Sequence, residues 1–142
     1  MAFDPIADYP LGAQRPDLVR TPGGLGLDEL TLDALRSGRL DASEMRATAE
    51  TLELQAQVAR AAGRAQLAAN LERAAELTGV PDEVILEVYT ALRPHRSTAD
   101  ELQGWADRLE RNFHAKMTAA FVREARVVYA KRNLLLPDEP AV

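Results

Sequence analysis

Few side chains in this sequence are of the types that carry out catalysis or bind metal ions. There are two histidines, His95 and His114, and neither has a carboxylate or a second histidine at metal-ligand spacing. We interpret both as solvated or structurally bonded residues rather than as catalysts or ligands. The chain contains no cysteine, which excludes disulfides, thiolate catalysis and cysteine-based metal sites.

The serines and carboxylates also lack the surroundings of an active site. Ser37, Ser43 and Ser97 fall at expected helix ends, where hydroxyl groups form caps. The acidic residues are spread over polar helix faces, and no pair can be singled out for general acid–base catalysis. The run GGLG at 23–26 lacks the preceding strand and the following Lys-Ser/Thr of a phosphate loop, so we interpret it as a turn. The sequence therefore predicts no catalytic, cofactor-binding or metal-binding residue on this chain.

Length, composition and charge narrow the class of protein further. The 142 residues predict one domain, and a hydrophobic content of 46% with only 5% aromatic residues predicts a core of Leu, Val and Ala. A net charge of −5 gives no electrostatic basis for binding nucleic acid. The start lacks the basic and apolar regions of a signal peptide, and no apolar run approaches the roughly 20 residues of a membrane span. We expect a soluble, cytoplasmic protein that binds neither nucleic acid nor membrane.

Apolar residues recur at three- and four-residue steps, and no stretch alternates with period two, so the predicted fold is all-α. We expect a helical domain of about five main helices over residues 28–134 and a short tail over 135–142. Residues 1–27 hold four of the eight prolines and four of the eight glycines, which favours an extended arm with turns.

Helix start and stop signals place the individual elements. Thr31 and Thr48 are expected to cap helices that end at Gly38 and Gly63, and Asp41 is expected to begin a single turn. The longer helices are predicted near 49–62, 64–77, 98–111 and 114–132, with another beginning at Pro81. Their expected inward side chains include Leu67, Tyr89, Trp105, Met117, Phe121 and Val128.

Pro94 must stop the helix that begins at Pro81, which leaves a rigid basic elbow at residues 93–96, RPHR. Ser97 with Asp100 is expected to start the following helix as a variant capping box. Arg93 and Arg96 allow two interpretations. They can satisfy the last carbonyl groups of the preceding helix, which we favour, or they can form bidentate pairs with carboxylates of a partner.

The run GRAQLAANLERAAELTGVPDEVILEVYTALRPHRST around the elbow resembles the small subunit of adenosylcobalamin-dependent diol and glycerol dehydratases. The similarity continues in AAFVREA at 119–125 and reaches back to DYPL at 8–11. It covers the chain from about Asp8 to about Leu134. Long ungapped runs with Pro and Gly in register are far more specific than one short motif.

The resemblance implies a non-catalytic small subunit in a dimer of heterotrimers with large and medium subunits. Such an enzyme converts a 1,2-diol or glycerol to an aldehyde and water by a radical route. Adenosylcobalamin would lie between the large and medium subunits, and a metal ion would lie in the large one. Some relatives are packaged in a bacterial microcompartment through an N-terminal extension.

Within such an assembly, the small subunit would act as a helical buttress, with the arm extended across the large subunit and Tyr9 and Leu11 as anchors. Arg93 and Arg96 are the other expected contact residues. The alternative is a free-standing helical adaptor, and an independent enzyme is the least favoured class. Preference between propane-1,2-diol and glycerol stays open, because substrate selection belongs to another chain.

Overall fold

The computed structural model describes residues 2–137, and along this range the chain forms helices and turns without a β-strand. The α-helices are α1 (Leu11–Gln14), α2 (Leu32–Arg36), α3 (Ala49–Ala61), α4 (Ala65–Leu77), α5 (Asp82–Ala91), α6 (Ala99–Phe113) and α7 (Lys116–Lys131). The last five are the longer ones, so the all-α fold with about five main helices is confirmed. Residue contacts divide the chain into two compact units, Met1–Thr78 and Gly79–Val142.

Threonine side chains begin three of these helices, because a threonine oxygen can accept a hydrogen bond from the free N–H groups of a first turn. Thr31 accepts from the Ala34 amide at 3.1 Å, and Thr48 accepts from the Thr51 amide at 3.3 Å. Both caps were expected from the sequence. Asp41 accepts from the Ser43 amide at 2.7 Å and forms a turn rather than a helix.

The cap of α6 lies one residue later than the sequence predicts. Thr98, not Ser97, accepts from the Glu101 amide at 3.2 Å, and the Glu101 carboxylate accepts from the Thr98 amide at 2.8 Å. These two bonds form a complete capping box. Ser97 and Asp100 have the same spacing, so the pattern alone does not distinguish the two registers.

Left-handed residues follow α2, α3, α6 and α7. Gly38 and Gly63 have φ values of 75° and 73°, and the residues after them return hydrogen bonds to Ala34 and Ala59. This is the Schellman arrangement, and glycine adopts it without steric cost. Asn133 takes the same conformation after α7 with φ 55°, and His114 takes it after α6 with φ 56°. Helix α6 therefore continues past its predicted end near residue 111 and turns at His114.

In the first unit, α3 and α4 form a hairpin whose seam consists of alanine. Ala56, Ala59 and Ala68 are almost completely buried there, and Leu71 packs against them. Small side chains let two helices approach closely, and the ion pair between Arg60 and Glu72, at 2.6 Å, joins the two helices beside the seam. Leu67, which was expected to face inward, is exposed, so that prediction was wrong.

The extended arm predicted over residues 1–27 is not confirmed. This segment contains α1 and a short 3₁₀ turn, Pro16–Leu18, and a second 3₁₀ turn, Leu27–Glu29, begins at its last residue. Arg15 holds it together through ion pairs with Asp8 at 3.1 Å and Asp17 at 3.0 Å. Prolines and glycines interrupt long helices, but they permit single turns, which is why a punctuated sequence still folds locally.

In the second unit, α6 and α7 pack together through Leu102, Ala106, Leu109, Ala119 and Val122, all of them buried. The side chains of α7 that were expected to face inward, Met117, Phe121 and Val128, are exposed instead. Trp105 is half-buried, and Tyr89 is 62% exposed, so the assignment of Tyr89 to the core was wrong.

The predicted tail over 135–142 is described only as far as Pro137, and residues 138–142 lie outside the described range. The Leu136 amide donates to the Ser97 carbonyl at 2.9 Å, so the start of this segment is bonded to the elbow. The division at residues 27 and 134 stays a prediction. None of the helices described is long and apolar enough to cross a membrane.

Candidate subunit interface

Three hydrogen bonds fix the elbow after α5 and the end of that helix. The Ser97 hydroxyl donates to the Ala91 carbonyl at 2.9 Å, and the Tyr129 hydroxyl donates to the Leu92 carbonyl. The His95 amide donates to the Leu134 carbonyl at 2.7 Å. His95 itself adopts a left-handed conformation with φ 60°. The backbone of the elbow is therefore fixed, and it carries the two arginine side chains.

Arg93 and Arg96 are both exposed on this elbow. The last carbonyl groups of α5 are capped by Ser97 and Tyr129 rather than by a guanidinium group. Within residues 2–137, neither arginine side chain forms an ion pair or a hydrogen bond. Within this range, therefore, neither guanidinium group caps a carbonyl of α5, and the contact roles of Arg93 and Arg96 stay predictions.

A groove of about 380 Å³ lies beside the elbow, between α5 and α6. It is lined by Leu86, Glu87, Thr90, Ala91, Arg96 and Trp105. Arg108 lies over the Trp105 ring, 5.0 Å from the ring centre, and pairs with Glu87 at 3.7 Å. Leu86 is 66% exposed, so one wall of the groove is apolar surface in contact with water.

The outer face of α7 is a second apolar surface of this unit. Phe121, Val127 and Val128 are each more than two-fifths exposed, and Met117 is nearly as exposed. A helix that displays large apolar side chains on its outer face is typical of a surface that contacts another protein. The buried face of α7 instead carries the smaller residues Thr118, Ala119 and Val122.

An ion-pair network ties α6 to α7 on the polar side of their contact. Arg123 donates to the Asp107 carboxylate at 2.9 Å and to the Glu110 carboxylate at 2.6 Å. Gln103 also donates to Asp107 at 2.9 Å. The hydrogen bond from Arg123, followed by that from Gln103, lowers the pKa of Asp107 below its usual value, because both stabilise the charged carboxylate. This network is structural rather than catalytic, since it joins two packed helices.

The first unit carries its own groove, of about 730 Å³, between the N-terminal segment and the α3–α4 hairpin. Both of the expected anchors line it, but only one is accessible. Tyr9 is 62% exposed, whereas Leu11 is 7% exposed and belongs to the packing of its own unit. Ile6 and Leu67 are further exposed apolar residues of this groove.

The residues of catalytic type are used for structure. Ser37 donates to the Ala34 carbonyl at 3.1 Å, and Ser43 donates to Asp41 at 2.5 Å. His95 and His114 are exposed at left-handed turns. Along the part of the chain that the structure describes, no group of three or more His, Asp or Glu side chains could hold a metal ion. The surfaces of the two units thus offer grooves and apolar faces, which are suited to binding another protein.

Comparison with known proteins identifies the family to which this chain belongs. The family model described as dehydratase small subunit matches residues 5–136. The chain belongs to the dehydratase small-subunit family. It is 52% identical over 134 residues to the propanediol dehydratase small subunit of Citrobacter freundii, covering 94% of this chain and 78% of that protein. The protein of the same name from Salmonella typhimurium strain LT2 has the same identity and coverage.

As a member of the dehydratase small-subunit family, the chain is a subunit of an enzyme of the lyase class. A small subunit implies further dehydratase subunits. Sequence reasoning missed the groove between α5 and α6, because Leu86 lies outside the apolar stripe of α5 and Trp105 was assigned to the core. The available signal was Leu86 itself, a large apolar residue on the polar side of an amphipathic helix.

Proposed function

We propose that this chain is the non-catalytic small subunit of a coenzyme B12-dependent dehydratase that converts propane-1,2-diol or glycerol to an aldehyde and water. The observation that carries the proposal is the match of residues 5–136 to dehydratase small subunits, together with the 52% identity to two propanediol dehydratase small subunits. No catalytic constellation is recognisable among residues 2–137, which agrees with a structural rather than a chemical role.

In this proposal the chain buttresses the large subunit, within a dimer of heterotrimers that also contains a medium subunit. Tyr9 at the first groove and Arg93 and Arg96 on the elbow are the proposed contact residues. Leu11 acts indirectly, since it is buried beneath the N-terminal groove and fixes the segment that carries Tyr9. A guanidinium group on a fixed backbone suits a carboxylate of the partner, because its planar fork can donate two hydrogen bonds at once and little backbone freedom is lost on pairing.

The described residues of this chain, 2–137, do not fit a binding site for adenosylcobalamin or for the metal ion. The two histidines lie on separate exposed turns, and residues 2–137 contain no metal-ligand cluster. We therefore assign both groups to the other subunits, with adenosylcobalamin between the large and medium subunits and the metal ion in the large one. Adenosylcobalamin would supply the radical that starts the reaction. We place the assembled enzyme in the cytoplasm or within a bacterial microcompartment.

Reconstitution tests this function. The full chain, incubated alone with adenosylcobalamin and propane-1,2-diol or glycerol, is expected to form no aldehyde and to leave the cobalamin absorption spectrum unchanged. Addition of the large and medium subunits is expected to give turnover, and omission of this chain is expected to lower the yield of assembled, active enzyme. Turnover by the chain alone would contradict the buttress role, and failure to co-elute with the other subunits would favour a free-standing adaptor.

A further inference from the structure

The groove between α5 and α6 combines an apolar wall with hydrogen-bond donors that the chain itself does not use. Leu86 and Ala91 are the aliphatic groups at its border, and Trp105 supplies an aromatic surface. Leu86 remains 66% exposed, although burying a leucine side chain gains about 1.5–3 kcal/mol. An apolar wall left in water beside a fixed elbow is a place where a partner gains binding energy.

Two donors of groove-lining residues have no acceptor within residues 2–137. One is the Arg96 guanidinium group, and the other is the indole N–H of Trp105. No buried side-chain nitrogen is left without a partner in the described chain, so the Trp105 nitrogen retains access to solvent. Both donors can therefore be reached by an incoming acceptor.

The remaining charges in and around the groove already compensate each other. Glu87 is paired with Arg108, and Arg108 also lies over the Trp105 ring. Within residues 2–137, Arg96 is therefore the uncompensated charge among the residues that line the groove. An occupant that complements the groove must bring an aliphatic side chain for the wall and a negative charge for Arg96.

We propose that this groove receives a segment of the large subunit that presents an aliphatic side chain next to a carboxylate. The aliphatic group packs between Leu86 and the Trp105 ring, and the carboxylate pairs with Arg96. The proposal rests on the proposed function for the identity of the partner, and it adds the chemistry of the segment and its place on this chain. It also separates Arg96, which lines the groove, from Arg93, which does not.

Trp105 is the only tryptophan of the chain, so a label at this residue reports on the groove directly. The full chain is prepared with 5-fluorotryptophan and mixed with unlabelled large and medium subunits. On assembly, the single ¹⁹F resonance is expected to shift. The difference between its chemical shifts in H₂O and in D₂O is expected to fall as the groove loses water. An unchanged resonance in a chain that co-elutes with the other subunits would overturn the groove proposal and leave the proposed function intact. Absence of co-elution would overturn both.

Two substitutions test the chemistry of the occupant. Arg96→Gln is expected to weaken association with the large subunit by about 30-fold or more, because it leaves a partner carboxylate unpaired in the contact. Leu86→Ala is expected to weaken it by about tenfold, because the apolar wall is lost while the helix keeps a strong helix former. Arg36→Gln and Leu32→Ala are the matched controls, since both residues are exposed on α2 and neither lines the groove.

The salt dependence of association gives a further distinction. Affinity of the wild-type chain should fall with added NaCl, and Arg96→Gln should flatten that dependence. Equal affinity of Arg96→Gln and Arg36→Gln would contradict the charged part of the proposal. A concentration-dependent ¹⁹F shift of the chain alone, accompanied by dimerisation in sedimentation, would assign the groove to a second copy of this chain and overturn the large subunit as its occupant.

Discussion

The hydroxyl group of Tyr129, near the end of α7, donates a hydrogen bond to the carbonyl oxygen of Leu92, which directly follows α5. This bond caps α5 and at the same time attaches the elbow to α7. Ser97 adds a second cap on the neighbouring Ala91 carbonyl at 2.9 Å. The geometry of the elbow thus depends on residues distant in sequence, while its arginine side chains form no ion pair or side-chain hydrogen bond within residues 2–137.

Replacement of Tyr129 by phenylalanine should destabilise the second unit. Loss of the hydroxyl leaves the half-buried Leu92 carbonyl without this donor, which should lower the free energy of unfolding by about 0.5–1.5 kcal/mol. Urea unfolding followed by far-UV circular dichroism measures the change. Tyr89→Phe is the matched control, because the Tyr89 side chain is exposed and its hydroxyl makes no hydrogen bond within residues 2–137. Equal losses in the two variants would contradict the capping role.

The two residues expected to anchor the N-terminal segment, Tyr9 and Leu11, should respond differently when each is replaced by alanine. Leu11→Ala removes a buried side chain and should lower the free energy of unfolding by about 2–5 kcal/mol. Tyr9→Ala should leave stability nearly unchanged but weaken association with the large subunit about tenfold, or 1.4 kcal/mol. Urea unfolding and affinity measured on immobilised large subunit separate the two effects. A destabilised Tyr9→Ala with unaltered affinity would remove Tyr9 from the interface.

The alanine seam between α3 and α4 should not tolerate larger side chains. Ala68 is completely buried where the two helices meet, so Ala68→Leu should overpack the contact and lower stability by about 1–3 kcal/mol. The thermal unfolding midpoint, followed by circular dichroism, measures the effect. Ala65→Leu in the same helix is the control, because Ala65 is exposed. An Ala68→Leu variant as stable as the wild type would mean that α3 and α4 can accommodate a larger side chain between them without loss of stability.

The carboxylate of Asp107 should make the second unit sensitive to acid. Its pKa is lowered from 3.8 in the folded chain by the hydrogen bond from Arg123 and then by that from Gln103. A carboxyl group with a lower pKa in the folded state stabilises folding above its unfolded pKa, and this contribution disappears as the pH falls through the folded pKa. Asp107→Asn should therefore reduce stability at neutral pH, and the difference from wild type should shrink below about pH 4.

Urea midpoints measured between pH 7 and pH 2 test this dependence. Glu124→Gln serves as a control, because Glu124 is exposed on α7 and has no hydrogen-bond or ion-pair partner along residues 2–137. A difference between Asp107→Asn and wild type that stays constant down to pH 2 would show that the Asp107 charge is not responsible.

Helix boundaries could be predicted from the sequence wherever the signal was chemically unique. Thr31 and Thr48 begin helices as expected, and Gly38 and Gly63 take the left-handed conformation that glycine favours. The start of α6 was misplaced by one residue, since two overlapping patterns have the same spacing. The left-handed turns at His114 and Asn133 were not predicted, because Asn and His adopt this conformation more often than other non-glycine residues but still in a minority of cases.

The prediction of which face of α7 points inward was wrong, for a physical reason that also concerns function. The sequence was interpreted as if the largest apolar residues were buried, yet Phe121 and Val128 are exposed while Ala119 and Val122 fill the contact with α6. A chain that contacts another subunit has two apolar faces, one toward its own core and one toward its partner, and periodicity does not tell them apart. Tyr89 was misassigned for the same reason. Of the candidate contact residues, Tyr9, Arg93 and Arg96 stay predictions.

The exposed apolar side chains of α5 and α7 also determine how the protein must be produced. Leu86, Tyr89, Phe121 and Val128 keep much of their surface in water when the chain is alone. A surplus of free chains would present these patches to one another at the ribosome and in the cell, where they favour aggregation. Synthesis of this polypeptide in step with its partner, as from a shared messenger RNA, would keep the surplus small. In a bacterial expression host, the ratio of subunits rather than the strength of the promoter should therefore decide the soluble yield.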